Sequence, residues 1–106
     1  MPTTRYQKGA DFERRVVKYL EEIGYYAMRS AGSHGMFDVI AIPKRHSAPG
    51  VTLLIQAKRY GYVKKDELEK LQTNPWAGTA LICWHKKRKS KLIFTNMLGE
   101  DIEISP

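Results

Sequence analysis

The chain has 106 residues, is 42% hydrophobic and carries a formal charge of +7. This describes one domain, residues 1–106, with enough apolar side chain for a core, and excludes a disordered chain. No apolar run nears the ~20 residues of a membrane span, the start MPTTRYQKGADFERR lacks a secretory segment, and the lone Cys83 excludes an internal disulfide and cysteine-based zinc sites. A cytoplasmic protein with no membrane role is expected. The basic balance calls for a polyanionic partner, nucleic acid ahead of an anionic membrane surface.

In chain order, Lys8 to Ile23 is predicted as an amphipathic helix. Val16, Val17, Leu20 and Ile23 form one stripe at helical spacing, charged residues fill the other faces, and Gly24 is the stop. A short extended piece, Tyr25 to Arg29, leads into the small-residue loop Ser30 to Gly35. Phe37 to Ile42 (FDVIAI) and Val51 to Lys58 (VTLLIQAK) are predicted strands, joined by the loop Pro43 to Gly50 and paired as a hairpin. Lys64 to Gln72 is a second helix, with Leu68 and Leu71 inward, ending before Pro75. Thr79 to Trp84 and Leu92 to Asn96 are strands around the basic turn HKKRKSK, and the tail GEDIEISP adds a short edge strand. The order predicts an α/β fold with a mixed central β-sheet flanked by helices.

Polar residues interrupt this pattern at three places. Glu13 lies at the centre of the first helix's apolar stripe, with Leu20 about 20°, Val17 about 40° and Val16 about 60° away. It is either a helix-start acid close to water or an acid aimed at a polar site. Asp38 stands inside an apolar strand, where aspartate is disfavoured and costly to bury, unless it is an exposed strand start. Gln56 and Lys58 leave the next strand on one face. A hairpin brings Asp38 to the Gln56–Lys58 end, with Glu13 approaching from the helix. Two carboxylates and an amide oxygen form a hard-donor site suited to Mg²⁺, with Mn²⁺ as substitute. Lys58 beside it would orient water or stabilise a phosphate in attack on a phosphodiester.

An aspartate on one strand followed by (D/E)-x-K on the next resembles the PD-(D/E)XK nuclease superfamily. The wider stretch KGADFERRVVKYLEEIGYYAMRSAGSHGMFDVIA resembles the archaeal-type, Hjc-like Holliday junction resolvases, with their KG-x-x-x-ER helix, RSAGS loop and D-(LVI)-(IV)-A strand. The resemblance covers residues 5 to 65 well and is loose beyond. It implies a restriction-endonuclease-like core, a homodimer acting on four-way DNA junctions, and a prokaryotic cell or a virus-infected host. By position it implies metal ligation by Asp38, Gln56, the Ala57 carbonyl and Glu13, catalysis by Lys58, phosphate contacts by Arg14 and Arg29, and a loop serine, Ser33, near the scissile strand. Gln56 departs from the usual glutamate. Glutamine keeps an oxygen ligand and loses a negative charge, so metal affinity should fall, although some superfamily branches use Q-x-K. Two alternatives therefore stand beside junction resolution: a nuclease of this fold for other branched or duplex DNA, and a catalytically weakened junction-binding protein.

Lys8, Arg14, Arg29, Arg59, Lys64 and Lys65 flank the site and are the DNA-contact candidates. The run Lys86, Lys87, Arg88, Lys89, Lys91 is either a solvated turn or a phosphate-gripping arm. His34, beside Ser33, is either a phosphate contact or a loop residue with no role. Tyr25, Tyr26, Tyr60, Tyr62, Trp76 and Trp84 are expected in the core or an interface. Leu92, Phe94, Met97, Leu98, Ile102 and Ile104 either make a two-fold contact or complete the sheet.

Overall fold

In the computed structural model of the chain, the described residues are 5–30, 37–44, 51–75, 78–85 and 91–104, with side chains from Gly9 onward. Ser33, His34, His46, Trp76 and Lys86 to Lys89 lie outside them, as does the side chain of Lys8.

Helix α1 spans Arg5–Ile23, three residues earlier than expected, since neither proline nor glycine stands between Arg5 and Lys8. Its stripe is deeper than valine and leucine alone suggest: Ala10, Phe12, Val16 and Leu20 are all buried. The helix stops at Gly24, whose φ of 111° suits glycine and whose N–H donates to the Glu21 carbonyl at 3.1 Å.

Among the described residues six strands form one sheet in chain order: β1 (Tyr26–Arg29), β2 (Val39–Ile42), β3 (Leu53–Ala57), β4 (Thr79–His85), β5 (Leu92–Asn96) and β6 (Asp101–Ile102). The β2–β3 pair is antiparallel, as the predicted hairpin requires, with Val39 opposite Ile55 and Ala41 opposite Leu53. Only β3–β4 is parallel among the neighbouring pairs of this sheet. A parallel pair needs a crossover connection, and α2 (Lys65–Gln72) supplies it. The sheet is therefore mixed, as expected.

Strand alternation sorts the apolar residues into two cores. Leu53, Ile55, Leu81, Cys83 and Phe94 pack with Phe12, Val16 and Leu20 of α1. Leu54 and Ile82 face the other way, toward Leu71 of α2. Three consecutive buried residues in β3 and again in β4 follow from this double coverage.

Several expectations change. Phe37 and Asp38 stand just before β2: the Asp38 N–H bonds out of register to the Ile55 carbonyl, while its carbonyl accepts from the Ser30 N–H in the β1–β2 register. The residues offered for a two-fold contact mostly complete the fold. Phe94 is buried, Leu92, Ile102 and Ile104 pack on the α1 core, and Met97 packs on the α2 core. Leu98 alone of that set is fully open, at 84% exposure. Tyr25 lies in the core, while Tyr26, Tyr60 and Tyr62, at 69%, 63% and 75% exposure, lie outside it, where the interface half of that expectation would place them. The β1 edge and the loop after Lys58 leave these tyrosines uncovered. Trp84 is held in the sheet, its indole N–H donating to Thr95 Oγ1 at 2.9 Å.

Candidate active site

The antiparallel β2–β3 ladder ends at the Val39–Ile55 pair, and the backbone N–H of Ala57 lies beyond it. That N–H donates to Asp38 Oδ2 at 3.0 Å. With its own N–H and carbonyl also bonded, at 2.9 and 2.8 Å, Asp38 is fixed where β3 ends, between the residues that carry Gln56 and Lys58. A polar residue in an apolar strand is tolerated here because it lies at a strand end and a backbone donor meets it.

Burial raises the Asp38 proton affinity above the ordinary aspartate value. The Ala57 N–H works against this shift, the negative charge of Glu13 adds to it, Lys58 opposes it, and Glu67 adds to it. All four groups thus act on one carboxylate.

Glu13 reaches the cluster from α1. Its Oε1 accepts from Arg29 Nε at 3.1 Å, and the two side chains are 21% and 31% exposed. Arg29 ends β1 on the α1 side of the sheet, so the pair clamps helix to strand. Arg29 thus engages Glu13 through Nε, and its two terminal guanidinium nitrogens take no part in that bond. Gln56 is half-buried and, by alternation, shares the α2 face with Leu54. Lys58 continues the parallel ladder, its N–H donating to the Cys83 carbonyl at 2.9 Å. Its Nζ lies 2.8 Å from Glu67 Oε2 in the first turn of α2.

Glu67 has no place among the site residues expected from sequence. Its local signal, an acidic pair opening a helix, is what any helix start prefers. Only the crossover that returns α2 past the end of β3 brings it to Lys58.

Among the described residues no three His, Cys, Asp or Glu side chains converge as a metal-holding group. The available donors are one fixed, partly buried carboxylate, the Gln56 amide, the Ala57 carbonyl and the Arg29-bound Glu13. All are oxygen donors. This set fits a hard dication such as Mg²⁺, which binds through one or two carboxylates and keeps several waters. The raised proton affinity of Asp38 marks a carboxylate whose burial lacks full compensation, and a cation would supply it.

The loop after Lys58 turns at Gly61, with φ of 79° and its N–H donating to the Lys58 carbonyl at 2.8 Å. A Cβ there would meet the Trp84 ring at 3.2 Å, so the loop lies tight against the sheet. It exposes Arg59, Tyr60 and Tyr62, with the Arg59 guanidinium 5.3 Å from the Tyr60 ring centre. Lys64 and Lys65 are exposed at the start of α2. Arg14 is exposed and paired with Asp11 at 3.0 Å. A concavity of ≈ 570 Å³ lies elsewhere, between Tyr19 of α1 and strands β5 and β6, and no residue of the Asp38 cluster lines it.

A family model described as archaeal Holliday junction resolvase (Hjc) matches residues 4–104. The crossover junction endodeoxyribonuclease Hjc of Methanocaldococcus jannaschii is 38% identical over 71 residues, covering 63% of this chain. The match spans 49% of that relative's length. The solved structure of Archaeoglobus fulgidus Hjc, described as a Holliday junction resolvase from an archaeal hyperthermophile, matches with a TM-score of 0.67 at 26% identity. That match covers 86% of this chain and 74% of the other.

Proposed function

The chain belongs to the archaeal Holliday junction resolvase (Hjc) family, and from that premise we propose that it is an Mg²⁺-dependent endodeoxyribonuclease, in one nuclease domain, that resolves four-way DNA junctions by paired phosphodiester cleavage. The observation that carries the reading is the Asp38 carboxylate held on the Ala57 N–H at 3.0 Å, at the end of the strand that delivers Gln56 and Lys58.

Asp38, Gln56 and the Ala57 carbonyl would hold the cation, with Glu13 completing the set directly or through water. When bound, the cation supplies Lewis-acid stabilisation of the charge that grows on the phosphate oxygens. The remaining work falls to the chain itself. The Ala57 N–H orients Asp38, and Arg29 holds Glu13 at the α1 side of the site. Lys58 orients the attacking water or meets the phosphate. Arg14, Arg59, Lys64 and Lys65 track the DNA backbone, with Lys8 as a further candidate and Ser33 beside the scissile strand. Backbone contacts of this kind recognise shape rather than sequence.

Two cuts on opposed strands require two sites, and each chain carries one. A two-fold homodimer supplies both. Tyr26, Met28 and Ile42 are exposed on one face of the β1–β2 edge and suit that contact better than the carboxyl-terminal apolar residues. A cytoplasmic location in a prokaryotic cell, or a virus-infected host, fits a DNA substrate.

Gln56 favours a second reading, a junction-binding protein with weakened catalysis. A cleavage assay on an immobile four-way junction beside linear duplex, with Mg²⁺, Mn²⁺ or EDTA, separates the readings. Resolution predicts paired, metal-dependent cuts on the junction that Asp38→Asn abolishes. Equal cutting of duplex favours a nuclease of other specificity, and junction binding without cuts favours the binding protein.

A further inference from the structure

The balance of charge around Asp38 is unusual for a site that must attract a dication. Glu13 is matched by Arg29 at 3.1 Å. Gln56 is neutral, and Lys58 brings a positive charge to the end of the same strand. Without another acid, the Lys58 charge would offset that of Asp38 and leave the cluster with no net negative charge. Glu67 changes this. Its Oε2 sits 2.8 Å from Lys58 Nζ, with the two side chains 37% and 28% exposed.

Glu67 differs from its neighbours on α2. Asp66 and Glu69 are exposed, and Asp66 serves the helix start as well as Glu67 does. Of the described α2 acids, Glu67 is the one paired with Lys58.

We propose that Glu67 is the positioning residue that completes this Gln-x-Lys site: from α2 it holds and neutralises Lys58, supplying the negative charge that a glutamate at position 56 would have brought. The inference rests on the metal-dependent nuclease reading. It explains how a site with Gln56 keeps an attraction for a dication. Coulombic energy falls only slowly with distance in a partly buried cluster, so a carboxylate beyond the ligand shell still contributes. It also restrains a flexible side chain: a lysine fixed by one acid starts from a defined place when a phosphate oxygen displaces that acid.

The test is Mn²⁺ binding to the full chain without DNA, by titration calorimetry at neutral pH, with thermal melting of each sample. Wild type should bind Mn²⁺ and Asp38→Asn should not. Glu67→Gln should weaken binding about tenfold, while Glu69→Gln on the same helix leaves it unchanged. Glu67→Asp should retain most of the affinity. Adding Gln56→Glu to Glu67→Gln should restore affinity, because the lost charge returns from β3. Unchanged affinity in Glu67→Gln, an equal loss in Glu69→Gln, or failure of Gln56→Glu to rescue a folded Glu67→Gln protein would each overturn the proposal while leaving the nuclease reading intact. Absence of Asp38-dependent Mn²⁺ binding in the wild type would overturn both.

Discussion

Asp38 Oδ2 accepts the backbone N–H of Ala57 at 3.0 Å, across the gap where the β2–β3 ladder stops. One side chain thus replaces a missing ladder bond and becomes the fixed point of the candidate site. Burial raises its proton affinity, which makes the ionised form a net cost to the metal-free fold. For an acid shifted this way, stability is fully present below the unfolded value, 3.8 for aspartate, and declines as pH rises through the folded value. Asp38→Asn keeps an oxygen acceptor for Ala57 and removes the charge. Differential scanning calorimetry at neutral pH, without metal, should show a higher Tm for the variant. Junction cleavage should meanwhile fall by about a hundredfold or more.

The Glu13–Arg29 pair joins α1 to β1 with both side chains at least two-thirds covered. Such a pair should exceed the small contribution of a fully exposed one. A double-mutant cycle with Glu13→Gln and Arg29→Ala, read by urea unfolding, should give a coupling of about 1 kcal/mol. Because solvent reaches the pair only in part, 0.5 M salt should weaken the coupling without removing it.

Lys64 and Lys65 are exposed where α2 begins, close in sequence to Lys58. If they grip phosphates, Lys64→Ala and Lys65→Ala should each weaken binding to junctions of any sequence. Each should also reduce the slope of log K against log salt by about 1. Fluorescence anisotropy across a salt series measures both. An unchanged slope would place these lysines outside the DNA contact.

Cys83 is fully buried on the α1-facing side of β4, and burial pushes its thiol pKa up to about 12. A thiol-specific reagent at pH 8 should leave the native protein unlabelled and label it stoichiometrically in denaturant. Rapid labelling under native conditions would contradict the packing of β4 described above.

Leu20 is fully buried where α1 crosses the sheet. Leu20→Ala should cost about 2–5 kcal/mol, with the exact figure depending on how far the core closes over the cavity. Equilibrium unfolding measures it, and a loss below about 1 kcal/mol would indicate a looser α1 contact.

The amino-acid order alone determined the two helices, five of the six strands within a few residues, and the three polar interruptions at Glu13, Asp38 and Gln56–Lys58. It even suggested the sixth strand. These are local matters: hydrophobic period sets the element type, and a charged residue in an apolar stripe is visible without knowing its neighbours. Tertiary structure decided the rest. It chose between the open readings of the carboxyl-terminal apolar residues by packing Phe94 and Ile102 on α1, and it left Tyr60 and Tyr62 in solvent. It also paired Arg29 with Glu13 and brought Glu67 to Lys58. Each of these depends on where a crossover or a loop returns in space. Residues 58 and 67 meet because α2 must carry the chain from β3 to a parallel β4, and no local pattern around either residue encodes that return.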